Sequence, residues 1–470
     1  MSKKVLFHLF EEIEKKYLYD TNTNRIFSIS EKVYNLLQHY SDETNIKKLC
    51  VDNNEIEYLF YEGLLRESKV QIIKHPLSEY LEDILENYVT SIDLQVTQNC
   101  NLKCRYCSYS GDGILDRKRN TSKMSLEVAL KSIDFLYDHS KKANTICISF
   151  YGGEPLLNFS LIKEVVGYVK NKFIGKNIEY KMTTNGTIMN EEILRLLTEN
   201  NFKLAISLDG PKVIHNRNRR MLNNGVGSYD LVENNLKFIK KRNYKFYKQI
   251  VFNCVNELDV SLYNTINYFK SNKLIKMNTV IFNQVDDQKI NLSYPITDEY
   301  INSKKLFILN TLLDDNNFKK GKIVLDDIKR IEILSNTLNY KNSFGNEFQH
   351  AGICIPGLKK MIVDYRGDIR ICEKANEISS DAIIGNIYTG FNFFHIKRLL
   401  NLGSITKDYC KKCWAMRLCT QCAAQLINIG EMNSCNKQLL CHQSIIDAKE
   451  ILKEYVILKE TRNICQELKK

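Results

Sequence analysis

The chain has 470 residues, 44% of them hydrophobic, with fifteen cysteines and a formal charge of +12. Length and apolar content allow sizeable cores in two to four domains and exclude a disordered tail. The start, Met1-Ser2-Lys3-Lys4, leads into mixed polar sequence, and no run approaches the ~18 apolar residues of a membrane span, so the expectation is a cytoplasmic protein without a membrane partner.

In a long chain with no export signal, abundant cysteine points to metal ligands in a reducing compartment rather than to disulfides. The clustering agrees, with three cysteines near residue 100 and eight between 354 and 441. Lys and Arg are spread along the chain, so the positive charge reads as solvated surface and no nucleic-acid partner is expected.

Residues 1–75 read as a small winged-helix-like unit. Tyr17-Leu18-Tyr19 and Ile26-Phe27-Ser28-Ile29 flank a polar turn at 20–24. Ser30 is placed to cap a helix carrying Val33, Leu36 and Leu37, and a second helix through Ile56, Leu59 and Phe60 stops at Gly63. Leu64-Leu65-Arg66 should leave it as a strand. No helix here presents a row of Arg, Lys and Asn to bases, which counts against a DNA-binding wing.

After a linker at 76–90, strands and helices alternate. Strands are predicted at 92–97, 145–150, 178–183, 204–208, 249–253 and 278–282, and helices at 125–139, 160–172, 190–200, 228–241 and 260–271. Six βα units predict an α/β fold with an open partial (β/α)6 barrel over 91–285, whose site lies at the C-terminal strand ends.

Each motif falls at such an end. Cys100, Cys104 and Cys107 converge from one loop with no nearby fourth thiol, an incomplete cage that suits three corners of a four-iron cube better than tetrahedral zinc. Tyr151-Gly152-Gly153-Glu154-Pro155 follows the second strand; two glycines allow close backbone approach, and Glu154 can accept from an ammonium group. Thr184 and Ser207 close the third and fourth strands. Beyond them come His215-Asn216-Arg217-Asn218-Arg219 and Gly225-Val226-Gly227-Ser228-Tyr229. A polar helical bridge is predicted at 286–345, a cysteine-rich domain at 346–455 and a tail at 456–470.

In the cysteine-rich domain, Cys354 and Cys372 bracket a tight hairpin, and Cys410, Cys413, Cys419, Cys422, Cys435 and Cys441 follow. Eight thiols permit two complete four-thiolate sites, of zinc or of iron and sulfur.

The loop Cys-x3-Cys-x2-Cys with Tyr106 before its last cysteine resembles the signature of the radical S-adenosylmethionine (SAM) enzymes. The resemblance implies a SAM-binding [4Fe–4S] cluster on Cys100, Cys104 and Cys107. It also implies SAM contacts from Gly152, Gly153, Glu154, Thr184 and Ser207, and from Arg219 near the SAM carboxylate. Asn216 departs from the aspartate usual in the HDxxR segment. The later cysteines resemble a SPASM domain, which implies two auxiliary [4Fe–4S] clusters: Cys354, Cys372 and Cys422 on one, Cys410, Cys413 and Cys419 on the other. Cys441 is expected on the second and Cys435 on the first, or the reverse, and the Cys419-to-Cys422 interval is one residue short of the pattern.

The first 75 residues resemble the PqqD-like recognition element that holds the leader of a ribosomal precursor peptide. Together these imply a peptide maturase, most like the thioether-forming ranthipeptide and sactipeptide enzymes, with a precursor peptide and a flavodoxin- or ferredoxin-like reductant as partners. The alternatives are an anaerobic sulfatase maturase and, from another class, a zinc-bearing winged-helix DNA-binding regulator.

Overall fold

The computed structural model describes residues 4–40, 43–107, 120–257, 260–284, 297–313, 323–338, 344–350 and 354–467. It divides into two units that interleave in sequence: Met1–Glu79, Asp327–Cys354 and Lys397–Lys470 form one, Tyr80–Asp326 and Ile355–Ile396 the other.

In the first unit, strands Phe7–Glu12, Lys15–Asp20 and Arg25–Ile29 form an antiparallel sheet in sequence order. Three helices follow, Glu31–Leu37, Glu43–Leu49 and Asn54–Tyr61. Ser30 caps the first through its hydroxyl, 3.3 Å from the Val33 N–H, and Asn53 caps the third. Leu18, Ile29, Val33, Leu37, Ile46, Ile56 and Leu59 make one core.

The strand Phe7–Glu12 was not expected, because the turn that pairs it lacks the usual signal. Ile13 and Glu14, at φ 49° and 56°, make a two-residue turn of left-handed residues without glycine or asparagine. The strand predicted at Leu64-Leu65-Arg66 is absent: Leu65 sits at φ 57°, outside the strand region, and only the bridge Val5 to Glu67 forms there. Ile72–Ile73 pairs in parallel with Glu347–Phe348.

The turn after Lys15–Asp20 is gripped by the segment between Cys413 and Cys419. Arg417 donates to the carbonyls of Thr21 and Asn22 at 2.6 and 2.9 Å, Thr21 donates to the Trp414 carbonyl at 2.7 Å, and Trp414 stacks on His8 with centroids 3.9 Å apart. The helix Ser434–Glu467 closes this unit's sequence.

The second unit carries the barrel sheet. Strands Ser91–Thr97, Thr145–Gly152, Asn177–Thr184, Lys203–Ser207, Val251–Asn256 and Thr279–Gln284 pair in parallel in sequence order. Helices Leu126–His139, Phe159–Lys172, Glu191–Glu199, Tyr229–Arg242 and Leu262–Ser271 connect them. All six strands lie within three residues of their predicted limits. Ile92, Leu94, Val96, Ile148, Phe150, Ile206 and Phe252 bury the sheet face that the helices cover.

The sheet continues past the six. Ile323–Leu325 extends one edge, and on the other Ile362–Val363 joins Ser91–Thr97 in parallel before an antiparallel set, Asp368–Arg370, Ile383–Asn386 and Gly390–Phe391. Gly367, at φ 92°, makes the turn of the hairpin that precedes Cys372. No helix among the described residues is long and apolar enough to cross a membrane.

Candidate active site

The cysteine loop leaves the first barrel strand and is held from the far end of the motif series. Leu102–Cys104 pairs antiparallel with Arg219–Met221, so that Cys104 lies opposite Arg219, and the Arg105 N–H donates to the Asn218 carbonyl at 3.1 Å. Cys104 is buried, while Cys100 and Cys107 are partly exposed. Burial pushes the Cys104 thiol up to about 12, and Cys107 and Cys100 push the same way. Residues 108–111, the rest of the signature loop, lie outside the described residues.

Gly152 and Gly153 pack against the root of that loop. A Cβ on Gly152 would lie 2.0 Å from the Thr97 carbonyl oxygen, and one on Gly153 would lie 2.2 Å from that of Asn99. The backbones lock there, Gly153 N–H to Thr97 O at 3.0 Å and Glu154 N–H to Asn99 O at 2.9 Å. Glycine is therefore a packing requirement at the step next to Cys100.

Glu154 is fully buried, and burial raises its carboxyl. It accepts from Thr184 Oγ1 at 2.7 Å, the Asn185 N–H at 2.7 Å and the Leu156 N–H at 3.1 Å. Thr184 thus serves to orient Glu154. Asn185 also donates to Asn101 Oδ1 at 2.8 Å, which ties the third strand's end to the cysteine loop. Ser207 ends the fourth strand opposite Asn253 and is partly exposed.

Sequence reasoning missed the residue that joins these parts. Asp209 has no exposed surface and accepts from Tyr106 Oη at 2.5 Å, Arg219 Nε at 2.8 Å and the Val255 N–H at 3.1 Å. It connects the loop tyrosine, the motif arginine and the fifth strand. The signal was present in Ser207-Leu208-Asp209-Gly210, a carboxylate just beyond a strand end. The Arg219 guanidinium also lies over the Tyr106 ring at 5.3 Å. Burial, with Asp209 alongside, raises the Tyr106 hydroxyl well above its usual range.

The neighbouring motif residues are structural. His215 is buried with its Nε2 2.9 Å from Ser228 Oγ, and burial lowers it to about 4. Asn216, where an aspartate was usual, accepts the Tyr229 N–H at 2.9 Å, and a Cβ on Gly227 would strike its side chain at 2.0 Å. Arg217 pairs with Glu257, which is buried just past the fifth strand and was also missed.

In the first unit, Cys410, Cys413, Cys419 and Cys441 line one cavity with His350, Gln421 and Lys437. Burial pushes Cys413 up to about 12, and Cys419, Cys410 and Cys441 add to it. Cys435 is exposed on the same helix as Cys441 and does not line the cavity. Cys422 sits at the start of helix Ala423–Ile429, its N–H donating to Gln425 at 2.9 Å. Cys354 is exposed in the first unit, and Cys372 is partly buried in the second.

No three His, Cys, Asp or Glu side chains among the described residues converge as they would around one metal ion. Cysteine binds a metal as thiolate, so the metal takes the place of the thiol proton. In the four-cysteine cavity both amide atoms of Gln421 and Nδ1 of His350 are buried without a partner. Both sets supply the donor type of a metal–thiolate group, although their sulfurs do not converge on one point.

Residues 94–260 match the family model described as the Radical SAM superfamily. This stretch is a radical SAM domain. The superfamily is one of enzymes that use SAM and a [4Fe–4S] cluster. The chain is similar to the radical SAM cyclopropyl synthase TigE of Paramaledivibacter caminithermalis, 27% identical over 241 residues, 49% of this chain and 48% of that protein. It is also similar to the cysteine-type anaerobic sulfatase-maturating enzyme of Clostridium novyi, 32% identical over 148 residues, 31% of this chain and 38% of that protein. These matches span less than half the length of the curated relatives. The solved structure described as native anSMEcpe with bound AdoMet and Cp18Cys peptide superposes with a TM-score of 0.56 at 21% identity, covering 80% of this chain and 99% of that one, which places the radical SAM domain in a shared fold.

Proposed function

We propose that this chain is a radical SAM maturase that binds a ribosomal precursor peptide by its leader and installs cross-links, Cys thioethers, in the core peptide. The observation that carries this is the second cysteine site. A radical SAM domain needs only the loop of Cys100, Cys104 and Cys107, yet the same chain builds a cavity from four further thiols.

When bound, the SAM-chelating [4Fe–4S] cluster would supply one electron that cleaves SAM into methionine and a 5′-deoxyadenosyl radical. The chain's residues do the rest. Cys100, Cys104 and Cys107 would hold three corners of that cluster, and Cys410, Cys413, Cys419 and Cys441 a second one. Cys354, Cys372, Cys422 and Cys435 remain for a third. Asp209, through Tyr106 and Arg219, keeps the cysteine loop in register with the strand ends. Gly152 and Gly153 let Glu154 reach the loop's root, and Glu154, Thr184, Ser207 and Arg219 would contact SAM. Among the described residues no strand pairs with the outer edge of Arg25–Ile29, an edge suited to adding a leader strand, and a flavodoxin or ferredoxin would supply electrons.

A second reading, conversion of a Cys or Ser to formylglycine, is favoured by the similarity to sulfatase-maturating enzymes. One experiment separates the two. The reconstituted protein is incubated without oxygen with SAM, a reductant and a Cys-containing precursor peptide. The maturase reading expects a peptide lighter by two hydrogens and resistant to thiol alkylation. An aldehyde trapped by a hydrazine would select the second reading, and an unaltered peptide beside abundant SAM cleavage would refute both.

A further inference from the structure

One lysine, Lys437, lines the cavity of Cys410, Cys413, Cys419 and Cys441. Lys437 is 1% exposed, and its Nζ lies 3.8 Å from Cys410 Sγ. It stands four residues before Cys441 on the helix Ser434–Glu467, so the two project from one face. No carboxylate among the described residues lies within ion-pair reach of it. The other polar lining groups, His350, Tyr409, Gln421 and Ser444, include no carboxylate, and Thr406 Oγ1 stands 3.4 Å from the same Cys410 sulfur.

A buried ammonium group without an anion is among the costliest arrangements in a protein. Among the described residues that line the cavity, the sulfurs are the candidates for the anion. Four thiolates on an iron–sulfur group carry net negative charge, and that charge deepens by one on reduction. A fixed cation at one sulfur therefore stabilises the reduced state more than the oxidised one.

We propose that Lys437 sets the reduction potential of an iron–sulfur group held by Cys410, Cys413, Cys419 and Cys441, raising it through a charge-assisted contact to the Cys410 sulfur. This rests on the reading of the cavity as an iron–sulfur site. Lys437 acts as a positioning and electrostatic residue: its ammonium meets one sulfur of the four, so that Cys410, which also faces Thr406, becomes the weakest electron donor among the ligands.

The test uses the full chain, reconstituted anaerobically, in a Cys100→Ala, Cys104→Ala, Cys107→Ala, Cys354→Ala, Cys372→Ala background that removes the signals of the other two clusters. Redox titration followed by electron paramagnetic resonance is compared for Lys437, Lys437→Met and Lys437→Arg, with iron and zinc counted in each. The expected result is a lower midpoint potential in Lys437→Met at unchanged iron content, largely restored in Lys437→Arg. An unshifted potential in an iron-loaded Lys437→Met protein overturns the proposal alone. Loss of iron in both variants shows a purely structural lysine and also overturns it. Zinc in place of iron at the four thiols of the unsubstituted chain overturns the iron–sulfur reading and the proposal with it.

Discussion

Replacing Asp209 by alanine removes the carboxylate that the loop tyrosine, the motif arginine and the fifth strand all share. Arg219 is 7% exposed, so its guanidinium would be left buried without its anion. Breaking a buried pair from one side costs about 3–5 kcal/mol, mostly the penalty of the stranded charge. For a unit of this size about 1 kcal/mol moves the melting midpoint by ~2–4 °C, so a fall of roughly 6–20 °C is expected. Anaerobic thermal unfolding of the reconstituted protein measures it, alongside SAM cleavage, which should fall because Tyr106 and Cys104 lose their alignment. Asp209→Asn keeps two acceptor contacts and should lose less. In the double variant with Arg219→Met the charge is gone from both sides, and much of the lost stability should return. A midpoint for Asp209→Ala within about 2 °C of the parent, or a double variant as unstable as the sum of the singles, would refute the reasoning.

Gly153→Ala drives a Cβ to 2.2 Å from the Asn99 carbonyl, so it should destabilise by about 1–3 kcal/mol and displace the cysteine loop. Gly167→Ala, in helix Phe159–Lys172 with nothing within 4 Å, should stabilise by about 0.5–1 kcal/mol, and equal melting midpoints for the two would defeat the packing argument. His8 is lowered to about 4 by burial, with Lys449 and Lys453 acting in the same sense. A histidine whose folded value lies below its unfolded one gives stability that is full above about pH 6.5 and lost as pH falls towards 4, here up to about 3 kcal/mol. Because Trp414 is the chain's one tryptophan and stacks on His8, its fluorescence should titrate over that range and stay flat in His8→Phe. A matching titration in His8→Phe would assign the change elsewhere. With the third cluster removed by Cys354→Ala and Cys372→Ala, Cys441→Ala should lower bound iron by about one further cluster while Cys435→Ala should not, since of the two only Cys441 faces the cavity; the opposite pattern of iron content would reverse the assignment.

The barrel was legible because its signals are local. Apolar runs such as Ile146, Ile148 and Phe150 alternate with amphipathic helices, and Ser125 and Asn190 cap two of them. The N-terminal sheet was half legible, since Ile13 and Glu14 turn the chain against their own propensity and only the sheet around them makes up the difference. Site residues named by spacing were found at the strand ends, but their roles were not in the spacing. Thr184 and Glu154 bond to each other, and Arg219 faces Asp209, relations between segments far apart in sequence that only folding brings together. Lys437 looked like one of many surface lysines for the same reason.

The grip of Arg417 and Trp414 on the hairpin turn at Thr21 and Asn22 makes two regions answer to one loop. That loop runs from Cys413 to Cys419, so filling the cavity restrains the same backbone that steadies the sheet of residues 7–29. On the reading proposed above such coupling would be reciprocal: a strand held by the sheet would tighten the hold on a metal group in the cavity by the factor with which that group tightens the sheet. A chain lacking the group would then hold the strand more weakly.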